Sequence, residues 1–198
     1  DGSVQKNKTT ASIMYYSTDI KLLKHKEQLL KEEGIEVTKW GTQESGYGGK
    51  KKIYNLRTAG KETIKEASDV GIESLLNDLT KEDLYLWYLD DGSWHKNANT
   101  MHLYSNMLNE EQSNVLMDRI EELYDIRTRL NTDRKKDGRS FYYLYFPREL
   151  VKLFRPELKE YLMKFEIDSM YYKFGGLEYE EKPSRYSKPV GFQRNKVS

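Results

Sequence analysis

Short β-prone stretches come in pairs along the chain, and longer stretches rich in Leu, Glu and Lys carry apolar residues at the spacing of amphipathic helices. The pattern predicts strands at about 3–7 and 10–16, a helix over 19–33, strands over 35–42 and 51–57, and helices over 60–68, 71–77 and 81–90. The same order then returns: strands over 93–97 and 100–105, a helix over 109–124, strands over 126–132 and 140–146, and helices over 147–154 and 157–173. Thr80 is placed to cap the helix from residue 81, with Asp83 three residues on completing a box-like pattern. Asn109 is placed to cap the helix that follows it, with Glu110 and Glu111 in its first turn. Gly46, Tyr47, Gly48 and Gly49 read as a hairpin tip.

The recurrence extends to letters. Asp1-Gly2-Ser3-x-x-Lys6-Asn7 is repeated as Asp91-Gly92-Ser93-x-x-Lys96-Asn97, and each copy leads into a Tyr-Ser pair, Tyr16-Ser17 and Tyr104-Ser105. A twofold repeat of this length predicts two similar αββαββα-like halves of mixed α/β (α+β) class, with antiparallel sheets, rather than a solenoid of many small units. The expected divisions are 1–80, 81–176 and a basic tail over 177–198. Within the second half, alternation puts Ile126, Thr128 and Leu130 on one side of a strand and Arg127, Arg129 and Asn131 on the other.

The most informative stretch is Leu84-Tyr85-Leu86-Trp87-Tyr88-Leu89-Asp90-Asp91-Gly92, an apolar helical run that ends in two carboxylates and a glycine. A helix apolar on both faces that closes on buried acids needs partner cations or hydrogen bonds for them. At these residues the chain resembles the LAGLIDADG homing endonucleases in their single-chain form with two motif copies. Leu84 to Gly92 lies on the family motif, with Asp91 at its metal-binding acid. The stretch through Pro156, Tyr161-Leu162 and Met170-Tyr171-Tyr172-Lys173 also looks like the family's C-terminal half. Asp1-Gly2-Ser3 then reads as the end of a first motif whose helix is expected to precede residue 1.

The resemblance implies hydrolysis of a phosphodiester on each strand of a long, asymmetric DNA target by a monomer, with saddle-shaped sheets over the duplex. It implies cuts across the minor groove that leave short 3′ overhangs, and the spread of an intron, intein or free-standing gene as the outcome. Asp1 and Asp91 are the implied ligands of a divalent cation. Oxygen donors without sulfur suit a hard ion, so Mg2+ is expected. Lys173 looks similar to a basic residue near the cleavage centre. A lysine at a helix C-terminus is the other reading. The first half shows no lysine within Ala67-Ser68-Asp69-Val70-Gly71, which points to unequal cleavage of the two strands. Asp90 faces elsewhere on the helix than Asp91, so a local cap or hydrogen bond is expected of it. Two rival functions stay open: an RNA maturase that assists splicing of intron RNA, and a DNA-binding regulator without cleavage.

Composition narrows the field without pointing to nucleic acid. Lys and Arg number 33 against 32 Asp and Glu, a net charge of +1, so attraction to phosphate must come from local clusters. On the repeated strands and turns these candidates are Lys6, Lys39, Gln43, Lys50, Lys51, Lys52 and Arg57 in the first half, and Lys96, Asn97, Arg127, Arg129, Asn131, Arg134, Lys135, Lys136 and Arg139 in the second. Arginine and asparagine side by side on one strand face are the types that read guanine and adenine edges, and cations in hairpin loops suit phosphates. Solvated hairpin ends are the alternative. The segment 182–198 carries Lys182, Arg185, Lys188, Arg194 and Lys196 with no acid, as a backbone-tracking arm or a tail without a role would. Zero cysteines exclude disulfides and thiolate metal sites, three histidines lack zinc spacing, and no run of about 18 apolar residues spans a membrane. The expected compartment is the cytoplasm of a bacterial or phage host, or an organelle or nucleus, and not the secretory route.

Overall fold

A computed structural model describes residues 2–44, 52–134 and 140–175. The first half runs β1 (Gly2–Lys6), β2 (Ala11–Ser17), α1 (Ile20–Glu32), β3 (Val37–Glu44), β4 (Lys52–Thr58), α2 (Glu62–Asp69) and α3 (Ile72–Asn77). The second runs α4 (Lys81–Asp91), β5 (Gly92–His95), β6 (Thr100–Tyr104), α5 (Glu110–Tyr124), β7 (Arg129–Arg134), β8 (Ser140–Phe146), α6 (Arg148–Lys164) and a closing 3-10 helix, Asp168–Phe174. Each half holds one four-stranded antiparallel sheet, ordered β1-β2-β4-β3 and β5-β6-β8-β7. The repeat in letters is therefore a repeat in topology.

Local chemistry sets the element ends. Asp19 caps α1 by accepting the amide of Leu22 at 2.9 Å, and Gly34, at φ +67°, turns the chain out of it. Thr80 with Asp83, and Asn109 with Gln112, form reciprocal capping boxes at α4 and α5. Asp125, at φ 56°, closes α5 in the left-handed region.

Three expectations change here, one of them the helix expected to reach residue 173, which stops at Lys164 before the separate 3-10 helix. The strand expected from Ile126 begins only at Arg129, because Asp125, Ile126, Arg127 and Thr128 are spent leaving α5 before pairing with β8 starts. Pro156 does not divide the last helix: α6 runs through it, held on both sides of the missing N–H by buried Leu150, Val151, Phe154, Leu158, Tyr161 and Leu162.

Alternation gives each sheet a helix-covered face and an outer face. In the second half, Met101, Leu103, Leu144 and Phe146 turn inward onto α4, α5 and α6 in one large core that also takes Leu116, Ile120, Phe154 and Phe174. The first half packs Leu56, with partly buried Ile13, Tyr15 and Tyr54, onto Leu23 and Leu30 of α1. Helix α1 serves both cores, since Leu22, one residue from Leu23, belongs to the larger one.

Candidate active site and sheet faces

Helix α4 delivers its acids to the junction of the two halves. Leu84, Tyr85, Tyr88 and Leu89 are buried, Leu86 and Trp87 are packed against the same core, and the helix stops at Gly92. Gly92 is extended (φ −82°, ψ 155°), so its freedom is not conformational. A Cβ there would lie 2.3–2.5 Å from the ring and carbonyl oxygen of Tyr88, closer than atoms can approach. The Asp-Asp-Gly ending thus needs glycine for space.

The two carboxylates part company. Asp90 reaches across to Lys26 of α1, with an N–O distance of 2.5 Å and side chains only 18% and 7% exposed. The sequence offers no long-range partner for Asp90, and the fold supplies one because Lys26 sits in the apolar stripe of α1 beside Leu22, Leu23 and Leu30. Asp91 stands half-buried beside this pair. Burial raises its carboxyl above the ordinary range, the neighbouring Asp90 adds to the rise, and Lys173 and Lys26 oppose it. Lys173 arrives from the 3-10 helix. Its ammonium donates to the carbonyl oxygens of Gly92 at 2.7 Å and Asp90 at 3.2 Å, while Tyr88 Oη donates to the Lys173 carbonyl at 3.0 Å. Burial lowers the Lys173 pKa, against the pull of Asp90 and Asp91. Lys173 therefore lies at the C-terminal end of α4, beside Asp91.

Asp1 lies outside the described residues, as do Lys50, Lys51, Lys135, Lys136, Arg139, the 46–49 hairpin tip and the tail from residue 177. Among the described residues no three His, Asp or Glu side chains gather as a metal cage.

The outer sheet faces collect part of the basic set. In the first sheet a β-bulge between Val37 and Lys39 shifts the register, so Val37 faces the core while Lys39 pairs with Arg57 on the outer face. Gly41 with Asn55, and Gln43 with Ile53, continue that face, and Met14 and Tyr16 border it across β4. In the second sheet Arg129 pairs with Tyr145 and Asn131 with Tyr143, outside the Leu130–Leu144 pair that faces the core. Lys96 and Asn97 sit exposed in the β5–β6 turn, and Arg134 is exposed at the end of β7.

Four candidates do not reach the outer faces, among them Arg134, which has the parity of core-facing Leu130. Arg127 precedes β7 and is tied back to α5 by Asp118 at 2.9 Å and Glu121 at 2.5 Å. Lys6 has the parity of the helix-covered side and bonds to Asp69 at 2.7 Å and the Ser68 carbonyl at 2.8 Å, both at the end of α2. Lys6 and Lys65 together hold the Asp69 carboxyl down at about 2. Lys52 shares the parity of Tyr54 and Leu56, with its ammonium 5.5 Å from the Tyr54 ring centre.

Sequence reasoning passed over several side chains that the fold brings together. His25 of α1 is buried, with Nε2 2.6 Å from Tyr161 Oη and its ring 4.1 Å from that of Phe165, and burial lowers its pKa. Lys26 was legible as a cation in an apolar stripe, whereas its partner lies 64 residues away and was not. On the second outer face His102, Tyr104, Tyr143 and Tyr145 form a ladder of rings with His95, which its place just past the repeated Asp-Gly-Ser already makes a candidate for DNA contact.

Residues 1–154 match the family model described as the LAGLIDADG DNA endonuclease family. The chain belongs to this LAGLIDADG family. Among solved structures it is similar to the homing endonuclease I-WcaI bound to its DNA recognition sequence, at 16% identity over 89% of this chain and 81% of that one, with a TM-score of 0.67. I-DmoI in complex with DNA and Mn is similar at 12% identity over 76% and 84% of the two chains, with a TM-score of 0.51. So is the N-terminal LAGLIDADG domain of DUF199/WhiA, at 12% identity over 78% and 73%, with a TM-score of 0.52. At these identities the likeness is one of fold: two antiparallel four-stranded sheets with helices behind them. No curated protein sequence matches the chain.

Proposed function

We propose that this LAGLIDADG protein is a site-specific, metal-dependent endonuclease that lays its two outer sheet faces along a long, asymmetric DNA duplex and cuts both strands as a monomer. The observation that carries the reading is the end of α4, where Asp91 and the Lys173 ammonium stand together at the joint between the sheets. Membership of a DNA endonuclease family, and the DNA in the I-WcaI and I-DmoI complexes, support it.

A divalent cation fits the donor chemistry. Asp91 offers carboxylate oxygen, its ionised form is disfavoured by burial, and no described residue donates a hydrogen bond to it. A hard cation relieves that penalty, and the Mn in the I-DmoI complex points the same way. Asp91, with Asp1 by the repeat in letters, would hold Mg2+ or a related ion. Bound there, such an ion polarises the scissile phosphate and lowers the pKa of an attacking water.

The chain's own groups prepare the site. Lys26 occupies Asp90, so one acid of the pair is neutralised and the other is left available. Lys173 commits two N–H groups to the carbonyls that end α4, which fixes its position and leaves a third to meet phosphate charge.

The test is selection of cleaved duplexes from a randomised library in Mg2+, followed by the Asp91→Asn variant on the selected duplex. Cleavage is expected to fall at least about a hundredfold with affinity largely kept. Undiminished cleavage by Asp91→Asn would remove the proposed centre, and binding without cleavage by the unaltered protein would make it a regulator instead.

A further inference from the structure

We propose that the two sheets read half-sites of different chemistry: the second recognises thymine methyl groups in an A·T-rich half-site, and the first recognises purine edges by hydrogen bonding. The inference rests on the DNA-endonuclease reading and adds to it the base class that each face selects.

The second outer face is a connected surface of rings. His95 and His102, on neighbouring strands, have ring centres 4.0 Å apart, and His102 lies 5.1 Å from Tyr143 and 5.6 Å from Tyr145. Tyr104 continues the row, 5.5 Å from Tyr143. Each ring is braced by its neighbours, so little freedom is lost when a partner covers it. Charge adds little net attraction there. Arg129 leans over the Tyr145 ring at 5.9 Å, uncharged Asn131 stands opposite Tyr143, and Asp133, four residues on from Arg129, offsets its charge. A surface of ring carbon with little net charge gains most from apolar contact, and the thymine C5-methyl is the apolar group that a base presents in the major groove.

The first outer face, though Met14, Tyr16 and Ile53 share it, is dominated by charge and amides. Lys39 and Arg57 are cross-strand neighbours, Asn55 and Gln43 lie further along the same face, and no acid shares that face among the described residues. Cations read guanine O6 and N7, and side-chain amides read adenine, through hydrogen bonds that need no methyl group.

Two single-atom-scale changes to the selected duplex separate these modes. Uracil in place of thymine removes only the methyl, and 7-deazaguanine in place of guanine removes only the N7 acceptor. The half-site facing the first sheet is identified as the one whose 7-deazaguanine effect disappears in the Arg57→Ala variant. Uracil is expected to weaken binding of the full chain about fourfold per contacted methyl in the other half-site, and not in this one. In the variants His102→Ala and Tyr143→Ala the uracil effect should vanish while the 7-deazaguanine effect persists, which also reports that the variants are folded. Equal uracil losses in both half-sites, or none in either, would overturn the inference while leaving the nuclease reading intact. Failure to enrich any duplex would instead sink the nuclease reading and this inference together.

Discussion

The two halves share a strand order and differ in how they are held together. The second encloses a continuous core running from α4 through α6 to the 3-10 helix, whereas the first has a small core of Leu23, Leu30 and Leu56 behind its sheet. The first half compensates by leaning on the second through α1, whose Lys21, Leu22, His25 and Lys26 all meet residues of the other half. Duplication of a fold thus leaves the copies unequal: one supplies most of the buried surface, and the other attaches to it through α1 and through α3, whose Leu76 joins the larger core.

The largest test of that inequality is the Lys26–Asp90 pair. Lys26→Met removes the cation paired with the largely buried Asp90 carboxylate and should cost about 3 kcal/mol in a denaturant titration. The double variant Lys26→Met with Asp90→Asn should recover much of that loss; if it does not, the pair is not what ties α1 to α4.

The glycines of the repeated Asp-Gly-Ser come next. Gly92→Ala forces a Cβ into the ring and carbonyl of Tyr88 and should cost about 2 kcal/mol. In Gly2→Ala the Cβ meets only the Tyr15 ring, at 3.0 Å, so the loss should stay under about 1 kcal/mol. Equal losses on thermal or chemical unfolding would mean that the two copies are packed alike.

Arginine placement sharpens the comparison of faces. Arg57→Ala is expected to lower DNA affinity about tenfold, and Arg127→Ala, which removes a side chain committed to α5, should leave it unchanged in the same binding assay. A comparable loss for Arg127→Ala would show that the arginine leaves its acids for phosphate.

The smallest expected effect concerns pH. His25 is held neutral by burial, so its pKa in the folded chain lies below the unfolded value near 6.5. Below that unfolded value the unfolded chain binds the extra proton, and stability contributed by His25 is present at pH 7.5 and lost as pH falls through about 6.5 and below. The variant His25→Gln should flatten the slope between about pH 7.5 and 5.5, measured by urea unfolding. An unchanged slope would assign the pH dependence elsewhere.

Much of this was written in local pattern. Element order, the caps at Thr80 and Asn109, and the acid at the end of α4 follow from periodicity and short-range hydrogen bonding, which act within a few residues. What local pattern could not carry was register and partnership. The late start of β7 moved Arg127 off the sheet face, and the parity of β1 and β4 turned Lys6 and Lys52 to the helix side. Nothing near Lys26 or His25 in the chain names Asp90 or Tyr161. The Pro156 misreading has the same origin, because tertiary burial on both sides of the proline outweighs its local preference for a break.

The bulge at Val37–Lys39 has a consequence for redesign. Since β3 carries one residue more than β4 at this point, excising Thr38 would restore plain pairing and leave every later position of β3 opposite its present partner. Lys39, Gly41 and Gln43 would keep the outer face, and the strand would lose only the local bend and added twist of the bulge. A single codon deletion could thereby alter the curvature of one edge strand against the duplex while keeping its lettering intact.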